Sequence, residues 1–152
     1  MCIRYIFVFF QLCFSSISLA QIISFTPQES GTDASFRGLW VIDEKTIWAS
    51  GSKGTVLRTE NGGQSWVKIT VKGFEDKDFR DIVAFSTQKA IIINAGSPAY
   101  ILKTTDAGEN WRVVYQDTSK AAFFDDIGFF DEQNGFVFGD PDSEGYFTLL
   151  QT

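Results

Sequence analysis

Leu57-Arg58-Thr59-Glu60-Asn61-Gly62-Gly63-Gln64-Ser65-Trp66 returns 45 residues later as Leu102-Lys103-Thr104-Thr105-Asp106-Ala107-Gly108-Glu109-Asn110-Trp111. Each copy has a Thr, an Asx side chain two residues on, a Gly two further and a Trp three further. A short Asx side chain accepts hydrogen bonds from the backbone of its own turn. A Gly there takes positive φ without a Cβ clash. One such match would be weak evidence; two in register define a repeat.

The repeat extends upstream. Phe36-Arg37-Gly38-Leu39-Trp40-Val41-Ile42, Phe79-Arg80-Asp81-Ile82-Val83-Ala84-Phe85 and Phe124-Asp125-Asp126-Ile127-Gly128-Phe129-Phe130 follow one another at steps of 43 and 45. Between them lie Trp48-Ala49-Ser50-Gly51, Asn94-Ala95-Gly96 and Phe136-Val137-Phe138-Gly139. Runs of Val, Ile, Thr, Phe and Tyr bounded by Gly, Asp, Asn and Pro predict strands. In the first unit these are Gly38–Ile42, Thr46–Ser50, Thr55–Thr59 and Trp66–Val71. In the second they are Ile82–Phe85, Ala90–Asn94, Tyr100–Thr104 and Trp111–Tyr115. In the third they are Ile127–Phe130, Gly135–Phe138 and Tyr146–Gln151.

Four strands every ~45 residues is the arithmetic of a β-propeller blade. The expected fold is therefore all-β: four-stranded antiparallel blades, in units 36–78, 79–123 and 124–152. A WD-type blade is disfavoured, since its Gly-His pair needs a histidine and the chain has none. Leu150-Gln151-Thr152 matches Leu57-Arg58-Thr59, so a third turn motif begins there. Under three blades are supplied, whereas propellers close with about 4–8. The expectation is the N-terminal part of a ring of about six or seven blades. Residues 21–35 form a linker in which Ile22-Ile23-Ser24-Phe25-Thr26 is a candidate ring-closing strand.

Residues 1–20 read as a targeting segment. Arg4 supplies a positive start, Tyr5–Phe14 a short apolar run, and Ser18-Leu19-Ala20 the small residues before a cleavage after Ala20. That predicts an exported product: periplasmic, cell-surface or secreted. Cleavage removes Cys2 and Cys13, so the mature chain has no thiol chemistry and no membrane-spanning stretch.

Composition narrows function. The 152 residues are 44% hydrophobic, enough for a packed core rather than disorder. A net charge of −6 argues against nucleic acid, whose phosphates need clustered Lys and Arg. The missing histidine excludes Ser-His-Asp and Cys-His nucleophiles and His-ligated metals within this chain. Asp140-Pro141-Asp142-Ser143-Glu144-Gly145 echoes a calcium loop, but Gln151 stands where a bidentate Glu is needed, so a solvated hairpin turn is preferred. No catalytic, cofactor-binding or metal-binding residue is assigned.

The turn motif resembles the Asp-box, or bacterial neuraminidase repeat. With Gly51-Ser52-Lys53-Gly54-Thr55-Val56 before it, and Tyr100-Ile101 before its second copy, the chain resembles the photosystem II stability/assembly factor family, of the hypothetical chloroplast reading frame forty-eight type. The resemblance implies a lumenal seven-bladed propeller that binds assembling reaction-centre subunits. It also implies that Thr59, Asn61, Gly63, Ser65 and Trp66, with Thr104, Asp106, Gly108, Asn110 and Trp111, are structural. An oxidoreductase role finds no support, because no Gly-x-Gly-x-x-Gly opens a helix.

A recognition surface is expected where the first strands meet the central channel. Arg37, Arg80 and Asp125 recur there, with Asp81 and Asp126 beside them and Asp140 at a neighbouring turn. The competing reading of these charges is ion pairing between adjacent blades. The favoured function is an exported, non-catalytic scaffold that binds a protein partner. The alternative is a sialidase- or xyloglucanase-like glycoside hydrolase, or a carbohydrate-binding propeller, whose catalytic residues lie in further blades. Against catalysis here, Asp125 and Asp126 are adjacent and are expected on opposite faces of their strand.

Overall fold

The computed structural model describes residues 23–142 and 144–152; the targeting segment, Gln21, Ile22 and Ser143 lie outside the described residues. Among the described residues, eleven strands form three antiparallel sheets. Blade 1 is β1 (Phe36–Val41), β2 (Ile47–Gly51), β3 (Thr55–Thr59) and β4 (Val67–Thr70), paired in that order. Blade 2 repeats this with β5 (Phe79–Ala84), β6 (Ala90–Asn94), β7 (Ala99–Thr104) and β8 (Arg112–Asp117). Blade 3 has β9 (Phe124–Phe129), β10 (Gly135–Pro141) and β11 (Phe147–Gln151). The all-β propeller architecture holds. Among the described residues no helix is long and apolar enough to cross a membrane.

The blades stack through their first two strands: β1 and β2 lie against β5, and β5 and β6 against β9. Side chains alternate across a strand, so each blade has one face toward its predecessor and one toward its successor. Blade 2 buries both. Ile82, Ala84, Ala90, Ile92 and Leu102 join Trp48, Val56 and Val71 of blade 1 in one core. The alternate residues Val83, Ile91, Ile93 and Ile101 join Phe124, Ile127 and Val137 of blade 3 in another. This two-sided burial explains the unbroken apolar run Ala90-Ile91-Ile92-Ile93 in β6.

The two outward faces differ from their buried equivalents. Leu39 on blade 1 corresponds to Ile82 on blade 2, yet is 65% exposed against 0%. Phe138 on blade 3 corresponds to Ile93, and is 50% exposed against 0%.

The first strand of every blade starts earlier than expected, at Phe36, Phe79 and Phe124. The reason is a β-bulge at one equivalent place in each. Pairing jumps from Phe36 to Gly38, from Phe79 to Asp81 and from Phe124 to Asp126. Each strand thus continues backward past one unpaired residue, which neither composition nor spacing marks. At the other end, β4 and β8 begin one residue after Trp66 and Trp111. Residues 23–35 form no strand here, and their side chains at Ile23 and Phe25 are exposed. A lone extended segment has no ladder to join.

Candidate site at the row of bulges

The residues left unpaired by the three bulges are Arg37, Arg80 and Asp125. A bulge re-aims side chains relative to the regular pleat. Here it sends consecutive residues into one space. Arg37, Arg80, Asp81, Asp125 and Asp126, with Phe36, line an open concavity of about 450 Å³. Asp125 and Asp126 therefore share this site, which corrects the expectation of opposite faces; strict alternation fails where the bulge inserts a residue. Asp140 does not line the concavity: it lies at the end of β10, where its N–H donates to the Phe123 carbonyl at 3.1 Å.

The site is stitched across blades. The Arg37 Nε donates to both oxygens of Asp78 at 2.9 Å, joining blade 1 to the entry of blade 2. One Arg80 terminal nitrogen reaches Asp125 Oδ1 at 3.4 Å, joining blade 2 to blade 3. The Arg80 guanidinium also sits 5.8 Å from the centre of the Phe123 ring. Ion pairing between blades, the competing reading of these charges, is thus present. Both pairs remain partly exposed, so solvent screens them.

Asp81 differs from the rest. Its Oδ1 accepts from its neighbour's N–H, Ile82, at 2.8 Å, and its Oδ2 accepts from Ile127 of blade 3 at 3.1 Å. Asp126 Oδ1 accepts from the same Ile127 N–H at 2.8 Å. Two carboxyl groups thus converge on one donor. Burial, and then the Asp126 carboxyl beside it, push the Asp81 carboxyl up to about 6. At neutral pH the rim carries mixed charge: two guanidinium groups, Asp78, Asp125 and this acidic pair. Carboxyl groups that bond one N–H are too close to flank a glycosidic bond as acid and base.

The third member of the equivalent set is Gly38. A Cβ there would sit 2.8 Å from the Asp81 Cα and would also meet the Ser50 hydroxyl. Close approach of β1 to β5 therefore requires glycine where the later blades have Asp.

The Asp-box turns lie elsewhere, at the junction of third and fourth strands, and they are built alike. Thr59 and Thr104 each donate from Oγ1 to the Asx oxygen at 2.8 Å and accept from the N–H of Gly63 or Gly108 at 3.0 Å. Asn61 Oδ1 accepts from the Ser65 N–H at 3.0 Å, and Asp106 Oδ1 from the Asn110 N–H at 2.9 Å. Both glycines have positive φ, 85° and 87°. The Thr hydroxyl and the Asx side chain of each box thus bond within their own turn.

The boxes differ in what covers them. Trp111 donates to the Gly108 carbonyl at 3.1 Å, and Ile69 of the preceding blade packs on Gly108. Trp66 instead donates to Gln28 Oε1 at 3.1 Å, and the Gln28 side chain packs on Gly63. In the hairpin of blade 3, Asp142 Oδ1 accepts from the N–H groups of Glu144 and Tyr146 at 2.9 and 3.0 Å. That carboxylate is spent on its turn.

Three participants were missed from sequence: Phe36 as a wall, Asp78 as the Arg37 partner and Gln28 as the cover of the first box. Asp78 and Arg37 are 41 residues apart, and only blade stacking brings them together.

Known proteins resemble the chain at two levels. A sequence profile described as "Photosynthesis system II assembly factor YCF48" matches residues 18–119. The photosystem II stability/assembly factor HCF136, chloroplastic, of Oryza sativa subsp. japonica is 39% identical over 67 residues, covering 42% of this chain and 16% of that protein. The protein of the same description from Arabidopsis thaliana is 38% identical over 64 residues, covering 40% and 15%. The matched stretch is thus a small part of the length of these relatives. Among solved structures, one described as YCF48 bound to D1 peptide superposes with a TM-score of 0.60 at 22% identity, over 84% of this chain and 44% of that one. YCF48 from Cyanidioschyzon merolae gives 0.57 at 20% identity, over 78% and 37%. At those identities the superpositions speak for the fold.

Proposed function

The chain belongs to the photosynthesis system II assembly factor YCF48 family, and from that premise we propose that it is an exported, non-catalytic propeller scaffold which binds a segment of another protein at the row of bulges. One observation carries the reading: three equivalent bulges turn charged side chains from all three blades into one concavity walled by Phe36. A mixed-charge rim around an aromatic edge suits a polypeptide, which presents both signs and backbone polar groups. It suits a sugar less, since no row of exposed Trp or Tyr lines it. A relative in fold that holds a D1 peptide adds support for a protein partner. Export rests on the layout of residues 1–20.

The mechanism is partner exchange at the rim. Arg37 and Arg80 hold Asp78 and Asp125 through weak, solvent-screened pairs. A partner carboxylate replaces an internal one at little net cost, and the released Asp78 or Asp125 meets a partner cation.

Site-specific photo-crosslinking tests this. A crosslinker at Phe36 should capture one discrete protein in the native host, and one at the distant Glu109 should not. Arg37→Glu with Arg80→Glu should abolish the capture while leaving the unfolding midpoint within a few degrees. Equal capture from both positions would sink the proposal. Sequencing of the accumulated product should start at Gln21; an intact Met1 would remove the export part.

A further inference from the structure

The row of bulges holds two carboxyl groups that share a donor and have no cation of their own. Asp81, half-buried on β5, and Asp126, on β9, both accept from the Ile127 N–H, at 3.1 and 2.8 Å. The two side chains are also within hydrogen-bond reach of each other. Among the described residues no lysine or arginine pairs with either.

The other charges of the concavity are committed elsewhere. Arg37, from β1, holds Asp78 at 2.9 Å. Arg80, from β5, holds Asp125 of β9 at 3.4 Å and lies over the Phe123 ring. The strand packed on β5, β2, and the strand paired with it, β6, carry no titratable residue. Asp140 of β10 lies outside the concavity. Two carboxylates so placed repel each other, and a proton between them relieves the repulsion. The burial of Asp81 acts in the same direction, and its carboxyl titrates at about 6. The joint between blades 1 and 2 has no such pair, because Gly38 occupies the equivalent place.

Resting on the reading of this concavity as a partner-binding site, we propose that Asp81 and Asp126 hold one proton between them and that this proton gates the site, favouring an acidic segment of the partner while it is in place and disfavouring it once it leaves. A partner carboxylate at Arg80 brings another anion beside the pair, which strengthens the pair's hold on its proton. By reciprocity, the proton strengthens the hold on the partner. Affinity therefore falls as pH rises through about 6.

Two measurements on the full chain test this. Carbon-13 NMR of the aspartate carboxyl groups needs no partner. It should show one proton leaving the pair near pH 6, and Asp126→Asn should lower the value at which Asp81 titrates. Two carboxyl groups already ionised by pH 5 would overturn the gate and leave the binding reading standing. Capture through the photo-crosslinker at Phe36 is then compared at pH 5.5 and 7.5. Wild type should capture about tenfold less at pH 7.5. Asp81→Asn and Asp126→Asn each remove one of the two charges permanently while keeping an acceptor for the Ile127 N–H. Each should capture equally at both pH values, at the wild-type level of pH 5.5. Circular dichroism checks that they fold, and one folded variant suffices. Any titration of the partner itself affects wild type and variant alike. Wild-type capture that is equal at both pH values, or a variant that keeps the wild-type pH dependence, overturns the gate alone. No capture at either pH removes the binding reading and the gate with it.

Discussion

Blade 2 and blade 3 are copies of one repeat, with equivalent bulges and equivalent strand pairing, but blade 2 is covered on both faces and blade 3 on one. Their residues follow the difference only in part. Where blade 2 places Ile91 and Ile93, blade 3 places Phe136 and Phe138, so its outward face stays strongly apolar. The equivalent face of blade 2 packs on the blade that follows it. Burial is thus a property of position in the stack, whereas apolarity is a property of the repeat.

The largest expected contrast comes from one equivalent pair. Ile93→Ala should cost about 2–5 kcal/mol in urea unfolding, through lost burial and the cavity left behind. Phe138→Ala, at a half-exposed position, should cost less than about 1 kcal/mol in the same chain. Equal costs would mean that the blade 3 face is covered in solution.

A second contrast sets the two Asp-boxes side by side. Thr59→Val and Thr104→Val each strip a buried hydroxyl that bonds the Asx oxygen and a glycine N–H. Each should lose about 1–3 kcal/mol, and by similar amounts, if the boxes are structural equivalents. A much smaller loss at Thr59 would show that the Gln28 cover compensates there.

Asp81 separates the blade 2–blade 3 joint from the blade 1–blade 2 joint, where Gly38 stands instead. Its native carboxyl titrates near 6 against an ordinary 3.8, so the folded chain binds more protons than the unfolded one between those values. Stability contributed by this group is therefore full below about 4 and is lost as pH rises through about 6. Asp81→Asn should raise stability at pH 7.5 by about 1 kcal/mol, allowing for the solvent that screens a partly exposed carboxyl, with the gain vanishing near pH 4. An unchanged pH profile would locate the proton elsewhere.

The smallest effect is spectroscopic. Hydrogen bonds from the Asn110 side chain and N–H and from the Thr104 hydroxyl hold Asp106 below the ordinary 3.8. Those bonds persist above that value and are lost only as pH falls through the lowered one. The Asn110 amide resonance should therefore move only in strong acid. The Ser65 amide, bonded to the uncharged Asn61, should not move with it.

Local turn chemistry was legible because it is written in neighbouring residues. Thr104, Asp106, Gly108 and Asn110 satisfy one another within seven residues, so spacing alone revealed the box and, repeated, the blade. Arg37, Arg80, Asp81, Asp125 and Asp126 were legible as a recurring set. Their convergence was not, because strict alternation sends Asp125 and Asp126 apart and only the bulge reunites them. Gln28 was illegible altogether: nothing nearby in sequence announces that it will cap a turn 35 residues away.

By itself, then, the sequence determined the blade: turn chemistry follows from neighbouring residues, and period, strand order and family resemblance from the match between successive repeats. Only the tertiary structure decided which charges share a site, which carboxyl holds a proton and which apolar faces are covered. Those properties depend on distances between blades, and stacking sets such distances through packing that spans some forty residues of chain.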